Sequence, residues 1–181
     1  MTPFVILDRD GVINEDSPDY IKSPDEWIPV DGSVEAIAEL TRAGVAVYIA
    51  TNQAGVPRGK LTLTSLKSIH RKMLSKVSAA GGEIKEIACC LHHPSDDCEC
   101  RKPKPGMLLG LAQRHELDLS RGYFVGDSTK DLEAARAAGC RGILVLTGKG
   151  QTTLRENPEY QPVFSDLAAF VQHLLQELEP D

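Results

Sequence analysis

Apolar residues along this chain fall into short runs and into longer stripes at helical spacing, and the two kinds alternate. Phe4 to Leu7, Val45 to Ala50, Tyr123 to Val125 and Ile143 to Leu146 are the runs, each short enough to predict a strand buried on both faces. Ile84 to Cys90 is a less uniform third strand in chain order. Between the runs lie the stripes. Val34, Ile37, Ala38 and Leu40 follow a candidate cap at Ser33 and stop at Gly44. Leu66, Ile69, Met73, Leu74 and Val77 mark a helix from about Thr64 to Ala80, ended by Gly81-Gly82. Leu108, Leu109, Leu111 and Ala112 form the apolar face of a helix that Pro105 opens and that runs to about Glu116. A further helix spans about Lys130 to Ala138, stopped by Gly139, and the last runs from Ser165 to Leu178, burying Leu167, Phe170, Val171, Leu174 and Leu178. Residues 15–32 and 147–162 are rich in turn-forming types and predict irregular chain.

Strands alternating with helices predict a doubly wound α/β fold, a parallel sheet covered on both faces. Such strands finish at one edge, and ligands collect there. The 181 residues show no repeat and no linker, so one domain over 1–181 is expected, large enough to bury a core without disulfides. With 41% hydrophobic and 25% charged residues the chain has a globular composition, and no apolar run approaches membrane-spanning length. The N-terminus carries no secretory pattern, which predicts a cytoplasmic protein. A net charge of −6 argues against broad nucleic-acid binding and leaves a small molecule as the expected partner of a monomer.

Polar residues stand where the predicted strands surface. Asp8 and Asp10 follow the first run, on one face of an extended chain with Arg9 pointing away, and Gly11 frees the backbone to turn. Taken alone, Asp-x-Asp-Gly is an ordinary solvated turn. An EF-hand loop is excluded, because Val12 falls where that loop needs an oxygen ligand. Thr51-Asn52-Gln53 ends the second run, Arg101-Lys102 opens a helix at the same edge, and Gly126-Asp127 ends the fourth run. Three carboxylates, one hydroxyl and one ammonium suit magnesium and phosphoryl transfer. His70, beside the apolar stripe of its helix, reads as a packing or surface residue. Four of the five cysteines lie within residues 89–100, together with two histidines. Cys89, Cys90, His92, His93, Cys98 and Cys100 are six candidates for the four ligands of a closed, structural zinc site.

The segments Leu7 to Val12, Thr51 to Gln53, Arg101 to Pro103 and Gly126-Asp127 resemble the four ordered motifs of the haloacid dehalogenase (HAD) superfamily of phosphatases, over roughly residues 4–147. That resemblance implies that Asp8 is the nucleophile and forms an aspartyl-phosphate, and that Asp10 is the general acid and then the base. It also implies that Asp8, the Asp10 carbonyl and Asp127 bind Mg2+, and that Thr51 and Lys102 steady the phosphoryl group. The cysteine-rich loop resembles the zinc loop of the heptose bisphosphate phosphatases, which maps the ligands to Cys90, His92, Cys98 and Cys100 and leaves Cys89 and His93 as spectators.

No stretch between the motifs is long enough for a separate cap domain, so the loops must select the substrate. Asp16, Tyr20, Asn52, Gln53, Arg58 and Arg101 are the candidates for that contact. Arg58, Lys60, Arg101, Lys104 and Lys130 gather near the site of an acidic chain, which suits a substrate with a second anionic group. The resemblance implies a phosphorylated sugar as partner: D-glycero-D-manno-heptose 1,7-bisphosphate, cleaved at the 7-position. Histidinol phosphate is the alternative, since histidinol-phosphatases share the motifs and the zinc loop. Ser128 stands where some heptose enzymes carry a substrate-binding lysine. A phospho-accepting receiver has no use for a zinc loop, and a non-catalytic zinc-braced protein would have lost one of Asp8, Asp10, Lys102 or Asp127.

Overall fold

A computed structural model of the chain describes residues 3–178. Its sheet has six parallel strands in the order β3-β2-β1-β4-β5-β6. In chain order the elements are β1 (Phe4–Leu7), α1 (Ser33–Arg42), β2 (Ala46–Asn52), α2 (Leu63–Ala79), β3 (Glu86–Cys90) and α3 (Gly106–His115). They continue as β4 (Tyr123–Gly126), α4 (Thr129–Ala138), β5 (Arg141–Val145), α5 (Gly150–Glu156), β6 (Val163–Phe164) and α6 (Leu167–Leu178).

β1 lies at the centre, in register with β2 (Leu7 opposite Ile49) and with β4 (Leu7 opposite Val125). Its alternation divides the core. Val5 and Leu7 meet Ile37, Leu40, Ile69, Met73, Phe170 and Val171 from α1, α2 and α6 on one face. Phe4 and Ile6 meet Met107, Leu108, Leu111, Ala134 and Ala135 from α3 and α4 on the other. The strand order reverses between β2 and β4 on either side of β1, which opens a crevice beyond the carboxyl ends of these three strands. No helix among the described residues is long and apolar enough to cross a membrane.

Several sequence expectations are corrected. Residues 147–162 are not wholly irregular, because Gly150–Glu156 is helical. The seven-residue α5 buries only Gly150 and Thr153 and so has no apolar stripe to betray it. β6 has two residues, too few to show a period. Leu74, Leu109 and Leu178 are exposed, at 38%, 48% and 44%, because the buried stripes of α2, α3 and α6 are narrower than the apolar pattern. Ser33 is not a cap but the first residue of α1, and its wholly buried hydroxyl donates to the Ile13 carbonyl at 2.6 Å. That bond ties the start of α1 to the turn after β1. Ser33→Ala leaves the Ile13 carbonyl with the Val30 N–H (2.9 Å) as its remaining donor, so urea unfolding should show the loss of one hydrogen bond, about 1 kcal/mol, with an unchanged m-value.

Candidate active site

The chain leaves β1 at Leu7 and turns at once. The Arg9 carbonyl accepts from the N–H groups of Ile13 (2.9 Å) and Asn14 (3.2 Å), and Gly11 takes φ +84°, a left-handed conformation suited to glycine. Asp8 is thereby left at the crevice, with its Oδ1 accepting from the Arg9 N–H at 2.8 Å and from Lys102 Nζ at 2.9 Å.

Lys102 is 3% exposed, and its ammonium has three partners: Asp8 Oδ1, Asp131 Oδ1 at 2.7 Å and the Ala50 carbonyl at 2.9 Å. The ammonium also lies 5.3 Å from the centre of the Phe124 ring. Burial works against its charge, but Asp131 and Asp8 outweigh burial and raise its pKa. Asn52 fixes this lysine through its backbone: Asn52 Nδ2 donates to the Lys102 carbonyl, and the Lys102 N–H donates to Asn52 Oδ1, both at 3.1 Å.

Asp8, Asp127 and Asp131 each bring a carboxylate oxygen to within 4.8 Å of the others. Burial, and then Asp131, push Asp8 well above the ordinary carboxylate range and Asp127 up to about 7. One ammonium does not balance three acids, and a hard, oxygen-liganded cation fits the deficit. Asp131 is the site residue that sequence reasoning missed. Its Oδ2 accepts from Asp127 N (3.2 Å), Ser128 N (3.0 Å) and Ser128 Oγ (2.8 Å), closing a capping box at the start of α4. The Ser-x-x-Asp spacing of that box was the available signal. Ser128, capping α4, is engaged within its own helix.

Arg9 corrects another expectation. It is fully buried and does not point away: its Nε and Nη2 donate to Asp10 Oδ1 at 3.0 and 2.8 Å. Asn14 Nδ2 donates to the same oxygen at 2.9 Å and Gln53 Nε2 to Asp10 Oδ2 at 3.0 Å. Burial alone would raise the Asp10 pKa, but Arg9 and these donors bring it below the usual value. Gln53 Nε2 also donates to the Oγ1 of the buried Thr51, at 2.9 Å.

The crevice encloses about 300 Å³. Asp16, Tyr20, Asn52, Gln53, Arg58 and Arg101 all line it, as do Lys130 and Lys149. Lys60 and Lys104 do not, and Lys104 instead pairs with Asp97 (2.8 Å) and Glu99 (3.0 Å).

At the end of β3, Cys90, His92, Cys98 and Cys100 converge, with one ligand atom from each within 4.8 Å of the rest. Cys90 and Cys98 sulfurs are 3.7 Å apart and those of Cys98 and Cys100 3.5 Å. Sulfurs on a tetrahedral zinc with 2.3 Å bonds stand about 3.8 Å apart, so the spacing fits that ion. Cys89 is outside the group, its thiol pushed up to about 11 by burial. His93 caps the turn at Pro94–Asp96, its Nδ1 accepting from Ser95 N at 3.2 Å.

An aspartate at a strand end, a buried lysine and a carboxylate cluster at the switch point of a parallel sheet are the arrangement of a HAD-type phosphatase. A family model described as HAD-hydrolase-like matches residues 99–170. The chain is 53% identical over 174 residues to the D-glycero-β-D-manno-heptose-1,7-bisphosphate 7-phosphatase of Pseudomonas aeruginosa, covering 96% of this chain and 98% of that one. The Pseudomonas putida enzyme of the same name is 49% identical, covering 95% and 99%. The crystal structure of D,D-heptose 1,7-bisphosphate phosphatase from Bordetella bronchiseptica, complexed with magnesium and phosphate, superposes with a TM-score of 0.94 at 48% identity, covering 97% and 99%. The chain belongs to the heptose-1,7-bisphosphate 7-phosphatase family of HAD-like hydrolases.

His70, half-buried on α2, lies with Nε2 3.1 Å from Arg9 Nη1. Burial, and then Arg9, lower its pKa to about 4 from an ordinary 6.5. Between these values the unfolded chain binds a proton that the folded chain does not. The stability linked to burying His70 uncharged beside Arg9 is therefore complete above about pH 6.5 and lost as pH falls towards 4, a change of about 3 kcal/mol. Glutamine at this position accepts from Arg9 without titrating. Unfolding of His70→Gln across pH 7 to 4 should gain that amount relative to wild type, and a difference that does not vary with pH would contradict the account.

Proposed function

We propose that the protein removes the 7-phosphate of D-glycero-D-manno-heptose 1,7-bisphosphate through an aspartyl-phosphate on Asp8. The observation that carries the chemistry is the buried Asp8 carboxylate, held by Lys102 and facing Asp127 and Asp131. Because Oδ1 is held by Lys102 and the Arg9 N–H, Oδ2 attacks phosphorus, the ester P–O bond breaks, and the sugar oxygen takes a proton from Asp10. Water then attacks the phosphorus of the intermediate and gives a proton to Asp10, and the bond to Asp8 breaks to release inorganic phosphate. Arg9 holds Asp10 ionised in the resting site, as the second step requires. The negative charge of an arriving substrate works against that ionisation and favours the protonated form for the first. Thr51 and Lys102 steady the phosphoryl oxygens, and Asn52 and Gln53 hold Lys102 and Asp10 in place as well as lining the crevice.

The donor set fits magnesium, which would be held by Asp8, Asp127 and the main-chain carbonyl of Asp10, and when bound would offset charge on the phosphoryl oxygens. Zinc would be held by Cys90, His92, Cys98 and Cys100 and would brace the loop that leads into Arg101 and Lys102. Free thiols at Cys89 and Cys140 suit the reducing cytoplasm.

The crevice favours a bisphosphate over histidinol phosphate. Arg58, Arg101, Lys130 and Lys149 line it in addition to the lysine bound to Asp8, and Arg101 Nη1 is buried with no hydrogen-bond partner among the described residues. A second phosphate supplies acceptors for such donors, whereas the amine of histidinol phosphate brings a cation.

Phosphate release from heptose 1,7-bisphosphate should exceed that from histidinol phosphate, and Asp8→Asn should lower it by roughly a thousandfold or more with circular dichroism unchanged. Asp8→Asn turnover at the wild-type rate would remove the nucleophile assignment. Elemental analysis of protein purified without chelator should give about one zinc per chain. The double change Cys98→Ser and Cys100→Ser should lose it, and a metal-free wild-type protein would contradict the zinc reading.

A further inference from the structure

The segment after β5 crosses directly over the turn after β1, and Asp127 lies between them. A Cβ on Gly11 or on Gly148 would collide with Asp127 Oδ2, and one on Gly148 would also press on Gly11 Cα. Both glycines have positive φ, +84° and +55°. Three hydrogen bonds close this slot from one short stretch of chain. Lys149 N donates to Asp127 Oδ2 at 2.8 Å, Thr153 Oγ1 to the Asp127 carbonyl at 2.8 Å, and Thr147 Oγ1 to the Gly11 carbonyl at 2.6 Å. Asp127 is thus gripped at its side chain and its backbone, while the threonine before Gly148 fastens the grip to the turn that carries Asp8 and Asp10.

We infer that residues 147–153 position Asp127 for its cation, and that the Thr147 hydroxyl sets the affinity of the site for magnesium. The inference rests on the proposed reading of Asp127 as a magnesium ligand. With Oδ2 fixed by the Lys149 N–H, Asp127 cannot rotate away from Asp8 and Asp131 under their mutual repulsion, so the oxygens remain converged before a cation arrives. Groups that orient a metal ligand in this way commonly change metal affinity by about 10- to 100-fold when removed. Thr147 is a positioning residue: its hydroxyl reaches the turn and not the carboxylates. Thr153, 3% exposed, acts on Asp127 from the other side.

Magnesium chloride titration of the zinc-loaded protein, followed by its melting temperature, separates positioning from simple bracing, because binding to the folded state alone raises Tm with ligand concentration. Thr147→Val should need at least about tenfold more Mg2+ for the same rise in Tm, and Thr147→Ser, which keeps the hydroxyl, should restore the wild-type titration. A Thr147→Val protein that melts lower without magnesium but titrates like wild type would overturn the inference and leave Thr147 as a structural brace. Should Thr147→Val not fold, Thr153→Val gives the same reading with the same two outcomes. Asp127→Asn is the control for the underlying assignment. If it titrates like wild type, Asp127 is not a magnesium ligand and the inference falls with that reading. If it loses the response while Thr147→Val keeps it, the positioning inference alone fails.

Discussion

A buried ammonium at Lys102 allows carboxylates from distant parts of the chain to share one end of a sheet. Without it Asp8 and Asp131, both close to fully buried, would face each other uncompensated. Removing one partner from such a group typically costs about 3–5 kcal/mol, because the remaining charge keeps its desolvation penalty and loses its attraction. Much of the surrounding structure holds the lysine in place. Asn52 at the end of β2 grips its backbone from both sides, the Ala50 carbonyl takes its third donor, and the Phe124 ring forms an apolar wall beside it. Lys102 therefore links β1, β2 and α4 through one charged atom, and the sheet order that places β1 between β2 and β4 makes this reach possible.

Much of this was legible in the sequence, because a parallel sheet converts position along the chain into position in space. Apolar runs end in polar residues at the same edge, so the sequence alone brings Asp8, Thr51 and Asp127 together. The strand rule failed just beyond the strand. Alternation placed Arg9 opposite Asp8 and Asp10, but β1 ends at Leu7 and the backbone has already begun to turn, which brings the guanidinium back onto Asp10. Asp131 was hidden for a different reason, since an acidic residue in the first turn of a helix is ordinary and its role depends on Lys102 arriving from a loop 29 residues earlier in the chain. α5 and β6 were illegible because tertiary partners define them. Thr153 bonds the Asp127 carbonyl, and Val163 pairs with Leu144.

On the proposed reading, the cations of an acidic protein are distributed by task. Lys102 and Arg9 are committed to Asp8, Asp131 and Asp10 and set the charge state of the chemistry. Arg58, Arg101, Lys130 and Lys149 stand around them on the crevice wall, available to a second anionic group. Lys149 is 3.6 Å from Asp16, so part of that positive charge is already offset at the mouth. Ser128 also lines the crevice but brings no charge to it, and its hydroxyl and amide both serve the α4 cap.

Hard and soft ligand groups are also kept apart while being mechanically joined. The carboxylate cluster lies at the switch point and the thiolate–imidazole cluster at the end of β3, where Cys90 pairs with Asn52. Their ligand types select different metals, so neither cluster competes for the other's ion. Cys100, Arg101 and Lys102 are consecutive, and Asn52 touches both ends of the arrangement: it is opposite Cys90 in the sheet and bonds Lys102 from its side chain. Ordering the cysteine loop thus fixes the path of the chain into the lysine, and the lysine fixes the charge balance at Asp8. On the proposed reading, the Cys/His cluster bears on the chemistry from a distance, through where one ammonium is delivered.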